Sequence, residues 1–168
     1  MDAEAGIRIY RGVEAPALLD TDCLTLVPGD ELQTRGSEKL REAGFGEGSE
    51  ARVLVNMPGF SLVYLWFKEN FPLPLHSHEV DCLYHVVAGS LELGNETLGP
   101  RDCFFVPADV PYAYRAGPRG VEVLEFRHAT QFEYRHHVRN SAFYDKAEKT
   151  VAANLDAWRG AKRPSEHT

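Results

Sequence analysis

An all-β barrel or sandwich with a helical tail is the fold class this sequence predicts. Three observations carry the prediction. Between residues 51 and 127 the chain holds many short runs rich in β-branched and aromatic residues. Turn-forming Gly, Pro and Asn residues punctuate those runs every several positions. The helical spacing of apolar residues becomes strong only after residue 145, so alternating β/α units are not indicated.

Residues 1–50 read as an N-terminal extension packing on the barrel. Residues 7–10 and 20–27 are short candidate strands, the second broken by Pro28-Gly29. Residues 37–43 are expected to form a short helix, with Ser37 as N-cap and Gly44 as its stop. Gly44, Gly46 and Gly48 then make a flexible or tightly turning link. The barrel is expected over residues 51–130. Its strands are 51–56, 60–68, 82–87, 90–93, 96–98, 103–106, 112–115 and 121–127. In the second run Val63, Leu65 and Phe67 share one face, and Tyr64, Trp66 and Lys68 the other. Gly94-Asn95 is a tight-turn signal. The segment 131–168 carries a helix at about 145–159, where Ala147, Val151, Leu155 and Trp158 form one stripe. That stripe is expected on the outside of the barrel or on a partner subunit. Residues 161–168 are polar and read as frayed.

Composition narrows the function classes. An apolar fraction of 43% and a charged fraction of 26% are those of a soluble globular chain. A net charge of −7 and no basic patch with interleaved aromatics argue against a nucleic-acid partner. No apolar window approaches membrane-spanning length, and the N-terminus lacks a basic stretch followed by an apolar one. Cys23, Cys82 and Cys103 are three, with no paired spacing, which fits a reducing, cytoplasmic compartment better than a disulfide framework.

The chemistry concentrates in residues 72–90. His76 and His78 flank Ser77 just before a β-rich run ending at Gly89. On an extended segment their side chains share a face, and two imidazoles so placed can grip one divalent metal. The plainer alternative is a solvated turn after Pro72 and Pro74.

His76-Ser77-His78, the strand ending at Gly89 and the Gly94-Asn95 turn together resemble the first motif of the cupin superfamily. Gly99-Pro100-Arg101-Asp102, followed by Phe105-Val106-Pro107 and on to Pro111-Tyr112, resembles the second. The similarity covers roughly residues 60–127. It implies an antiparallel, double-stranded jelly-roll barrel, often dimeric, with one metal inside the barrel mouth. The family holds that metal with two histidines and a carboxylate from the first motif and a histidine from the second. His76 and His78 match the first pair. Cys82 stands where the glutamate is usual, and Tyr112 where the last histidine is usual.

The resemblance therefore implies metal ligands His76, His78, Cys82 and Tyr112, with Tyr112 also the candidate general base. A cation lowers the pKa of a nearby thiol or phenol, so such a shell is chemically open. The implied cofactor is one divalent metal ion, zinc or iron foremost, with manganese, nickel or copper as alternatives. Cys82 is also similar to the cysteine found at that position in cysteine dioxygenase, but that enzyme keeps a third histidine, so its activity is not carried over.

Other residues bear on the same cavity. Tyr84 shares parity with Cys82, and Tyr114 with Tyr112; core aromatics and pocket-lining phenols are both open readings. His85 has the opposite parity and should point outward. Glu79 and Asp81 are loop residues, and Glu125, Arg127 and His128 end a late strand; a structural or surface role is the better reading for each. Gly89, Gly94, Gly99, Asp102, Pro107 and Pro111 read as turn-formers. His136-His137 reads as a surface run, and Cys23 and Cys103 as small apolar residues.

The functional expectation is a metal-binding cupin, an enzyme acting on a small organic molecule inside the barrel by dioxygenase, lyase or isomerase chemistry. The alternative is a non-catalytic ligand-binding module with a degenerate metal site. The expected partners are a small-molecule ligand and a second copy in a homodimer, with no nucleic acid and no membrane.

Overall fold

The computed structural model describes residues 6–167. Its elements in chain order are β1 (Leu24–Leu26), α1 (Glu31–Ala43), β2 (Ser49–Met57), β3 (Phe60–Phe67), β4 (His76–Ser77), β5 (Cys82–Leu93), β6 (Glu96–Leu98), β7 (Cys103–Val106), β8 (Arg115–Arg127), β9 (Phe132–His136) and α2 (Ser141–Arg159). They build two sheets. One runs β2-β3-β8-β5-β6 with β7 also paired to β5; the other runs β1-β9-β4. Except for the parallel β1–β9 pair, every ladder is antiparallel.

Period-two alternation fixes which residues point into the barrel. β3 turns Ser61, Val63, Leu65 and Phe67 inward, as its sequence predicts, while Tyr64 stays half-exposed. Cys82, Tyr84 and Val86 of β5 are buried against Val121, Val123, Glu125 and Arg127 of β8. Leu83 and Phe105, facing out on β5 and β7, are exposed.

Two predicted breaks do not occur. The runs 82–87 and 90–93 are one strand, and residues 115–127 are another. Glycine here serves close approach rather than reversal. A Cβ on Gly89 would collide with the Gly120 carbonyl, and one on Gly117 with Ser90. The register shifts between Val86 and Ala88 and between Gly89 and Leu91 absorb the irregularity as bulges. Tyr112 accordingly leaves the strand run and sits in an isolated bridge to His76.

The flanking segments also depart from expectation. Residues 7–10 form no strand, and Ile7 and Ile9 are exposed. Only 24–26 of the run 20–27 pair as a strand. Ser37 lies inside α1, whose N-cap is Asp30: its carboxylate accepts from Gln33 N, and the Gln33 side chain accepts from Asp30 N. Gly36 is helical there because its bare face receives the Tyr144 ring. Gly44 ends α1 in the left-handed region, as expected.

α2 starts at Ser141, four residues before the predicted start, and is capped by Asn140. Its stripe buries Ala147, Val151 and Trp158, with Trp158 Nε1 donating to the Glu69 carbonyl at 2.8 Å. Residues 163–165 are strapped down rather than frayed, while Thr168 lies outside the described residues: Arg163 pairs with Glu50 at 2.7 Å, and Ser165 binds Glu122 through both its N–H and its hydroxyl.

Candidate functional site

The two motifs meet through backbone. His76 N donates to Tyr112 O at 3.1 Å, and Tyr112 N donates to His76 O at 2.9 Å. On its other side His76 pairs with His136 of β9. The turn before Tyr112 is tied in by Asp109 N donating to His78 O at 2.7 Å. Two short segments far apart in sequence thus place an imidazole and a phenol side by side.

The side chains fix one pattern of protons. His76 Nδ1 lies 2.8 Å from the Pro74 carbonyl, which can only accept, so Nδ1 carries the proton. Nε2 is then a lone pair and accepts from the Tyr112 hydroxyl at 3.0 Å. The Tyr84 hydroxyl in turn contacts that of Tyr112, and Arg127 Nη2 is 3.5 Å from the Tyr84 hydroxyl. The polar groups therefore form a one-way chain from Arg127 through Tyr84 and Tyr112 to His76. His78 repeats the tautomer, its Nδ1 donating to the Glu133 carbonyl at 2.6 Å.

Burial sets the charges. Desolvation lowers the pKa of His76 to about 4 and of His78 to about 3, with nearby Arg127 pushing both the same way. Both imidazoles are neutral near pH 7. Burial, then the Glu125 carboxylate, pushes the phenols of Tyr84, Tyr112 and Tyr114 well above their ordinary value. The fixed charges among these groups are Glu125 and Arg127, 5% and 1% exposed, with Nη1 2.7 Å from Oε2. The guanidinium lies over the Phe132 ring at 3.7 Å, and its Nε has no hydrogen-bond partner among the described residues.

The aromatic walls hold this chain in place. Tyr134 stacks on His76 at 4.6 Å, Phe132 meets His78 edge-on at 5.2 Å, and Phe104 stacks on Tyr84 at 4.4 Å. Phe132 and Tyr134 come from β9, which the sequence reading did not assign as a strand. The alternation Phe132-Glu133-Tyr134-Arg135 was the signal for it. Glu125 and Arg127, read as structural or surface residues, share parity with Val121 and Val123 and point inward with them.

The other candidates are placed as follows. Cys82 is buried, and its thiol is pushed up to about 12 by burial and then by Glu125, so it stays protonated. It makes a weak hydrogen bond to the Leu83 carbonyl at 3.9 Å and also meets the Tyr84 hydroxyl. Glu79 accepts from Glu133 N and Asp81 from Ala108 N, both structural ties. His85 points out and lies 3.3 Å from Cys103 Sγ; Cys103 is exposed, not a core residue. His136 is half-buried, and His137 Nε2 bonds the Ser77 hydroxyl at 2.8 Å, so this pair is a support for β4 rather than a surface run. His128 is exposed.

Two of the four implied ligands suit a divalent metal as they stand: each histidine gives Nδ1–H to a carbonyl and keeps Nε2 free of its own proton. The other two do not. Without a cation Cys82 is a thiol and Tyr112 a neutral phenol, so a metal would have to displace both protons beside a fixed guanidinium. Among the described residues no three His, Cys, Asp or Glu side chains are grouped to hold a metal. The residues present thus fit a four-ligand metal centre poorly.

Comparison with solved structures places the fold. The chain is similar to the polyketide cyclase RemF from Streptomyces resistomycificus, with 22% identity over 64% of this chain and 84% of that one, at a TM-score of 0.51. It is also similar to KdgF from a Halomonas species (24% identity, 48% and 78% covered, TM-score 0.41). A third is an RmlC-like cupin from Shewanella frigidimarina (23%, 49% and 77%, TM-score 0.44). No family model and no curated protein matches the chain. No described helix is long and apolar enough to cross a membrane.

Proposed function

Starting from a cupin jelly-roll fold, we propose that this chain is an enzyme that moves a proton on a small carbonyl compound inside the barrel, as an isomerase or a lyase does. The observation that carries the reading is the His76–Tyr112 pair. A neutral base, Nε2 of His76, and a neutral acid, the Tyr112 hydroxyl, lie 3.0 Å apart, with the imidazole oriented from behind by the Pro74 carbonyl.

A substrate carbonyl that takes the Tyr112 hydrogen bond frees Nε2. The imidazole then accepts the proton from the adjacent carbon. The C–H electron pair becomes the new C=C bond, and the oxygen gains the charge. Tyr112, backed by Tyr84 and Arg127, supports that oxyanion. Returning the proton to a different carbon gives an isomerase; expelling a leaving group gives a lyase.

The test is loss of the C–H proton to deuterium, followed by proton NMR in D2O on a panel of 2-oxo acids and 1,3-dicarbonyl compounds. Tyr112→Phe and His76→Gln are each expected to slow exchange about 100-fold or more. Exchange at the uncatalysed rate across the panel, or at an unchanged rate in Tyr112→Phe, defeats the reading.

A second reading is favoured by the shared tautomer of the two histidines: a divalent metal, zinc or iron, on His76 and His78, in an enzyme of the dioxygenase type or in a non-catalytic binding module. Metal analysis of untagged protein separates the readings. Stoichiometric metal that disappears in the His76→Ala, His78→Ala double variant supports the second. A homodimer in solution is proposed with either and is read by light scattering.

A further inference from the structure

One buried charge is left with an open edge, and its shape names a ligand class. Arg127 is 1% exposed. Glu125 approaches Nη1 at 2.7 Å, and Phe132 covers one face of the guanidinium at 3.7 Å. The opposite edge, Nε with Nη2, is nearly uncommitted: Nε has no partner among the described residues, and Nη2 makes the long 3.5 Å contact to Tyr84. A buried cationic donor without an acceptor is costly, because its lost hydration is not replaced. Two parallel N–H bonds from one guanidinium edge match the two oxygens of a carboxylate.

We infer that the ligand of this barrel is a small organic carboxylate, held side-on by the Nε–Nη2 edge of Arg127. This rests on the proton-transfer reading and sharpens it to a carboxylic acid. Through Tyr84 the carboxylate would lie next to Tyr112, so the carbon beside it faces the His76–Tyr112 pair. Arg127 is buried behind Tyr84, so a carboxylate reaches that edge only as the Tyr84 and Tyr112 side chains give way to it. Ser61, the residue paired with Arg127 across the sheet, is also fully buried, and its hydroxyl meets the Cys23 thiol.

Calorimetric titration of the full chain at constant ionic strength tests this, using pyruvate, malonate and benzoate against their neutral amides. At least one acid is expected to bind saturably, and its amide at least about tenfold more weakly, the worth of one charge-assisted bond. Arg127→Lys keeps the charge but not the flat edge, and is expected to weaken the acid at least about tenfold. Glu125→Gln guards against misfolding of that variant: it keeps Arg127, removes the neighbouring negative charge, and is expected to tighten acid binding severalfold without tightening the amide. Equal binding of acid and amide, no saturable binding of any acid, or undiminished acid binding in folded Arg127→Lys overturns the inference. Acid binding that persists in Tyr112→Phe, with no deuterium exchange in any form of the protein, removes the proton-transfer reading and leaves the carboxylate site standing.

Discussion

Glu122 and Glu125 stand three residues apart on β8, both buried, on opposite faces of the sheet. Their surroundings differ in completeness. Glu122 accepts from the Tyr64 hydroxyl at 2.7 Å, from Ser165 N at 2.7 Å and from the Ser165 hydroxyl at 3.0 Å. Around it Arg163 reaches Glu50, and the strap is closed. Glu125 faces Arg127 across 2.7 Å, but beyond that pair Arg127 Nε is buried with no hydrogen-bond partner among the described residues. Burial of charge alone does not mark a site. A saturated cluster holds structure together, whereas an unsaturated one has capacity for something else.

The comparison can be broken most sharply at Arg127. Arg127→Met strands Glu125 in the interior and is expected to cost about 3–5 kcal/mol in urea unfolding. Replacing both Glu125 and Arg127 with Met should recover much of that loss; if the single and double variants are equally unstable, the pair is not the source.

Acid is the next lever. His76 and His78 titrate near 6.5 in the unfolded chain and at about 4 and about 3 in the folded one. Between those values the unfolded chain binds more protons, so the stability present above pH 6.5 falls as pH drops through the window. Each histidine contributes a slope of about 1.4 kcal/mol per pH unit. Denaturant unfolding between pH 6.5 and 4 should show that slope reduced by one histidine's share in His78→Phe. An unchanged slope would mean that His78 is not buried neutral.

The smallest effect belongs to the strap. Ser165→Ala removes one hydrogen bond to Glu122 on the outer face and is expected to cost about 1 kcal/mol, with no change in the proton exchange assigned to His76 and Tyr112. A change in that exchange would show that the two faces of β8 are coupled.

Much of this molecule was readable before any coordinates. The β-rich core over 51–127, the shared face of Val63, Leu65 and Phe67 and the αL stop at Gly44 follow from period and turn chemistry, and the joint placement of His76 and Tyr112 from the motif resemblance, while β4 and β9 went unassigned. What failed did so for local reasons. Gly89, Gly117 and Gly120 look like turns in a sequence, but here they let backbones pass close, and that fact belongs to tertiary contact. The helix expected from Ser37 in fact starts at Glu31 with Asp30 as its cap, and the Tyr144 ring against Gly36 accounts for a glycine inside it. Arg127 and Glu125, read as structural or surface residues at the end of a late strand, are instead buried. Their parity with Val121 and Val123 pointed inward, and the register against Tyr84 completes the case.

β8 lies between β3 and β5, with Ser61 opposite Arg127 and Leu83 opposite Phe126. Its partners are far back in the chain, so closing these ladders is slow relative to local helix formation. During synthesis β3 and β5 emerge before β8, and in the sheet they lie on either side of the slot that β8 fills. Until that strand arrives, the tyrosines and histidines have neither a guanidinium nor a carboxylate beside them. The polar interior is thus completed only by the late segments β8 and β9, and anything that binds Arg127 acts on the state in which both are in place.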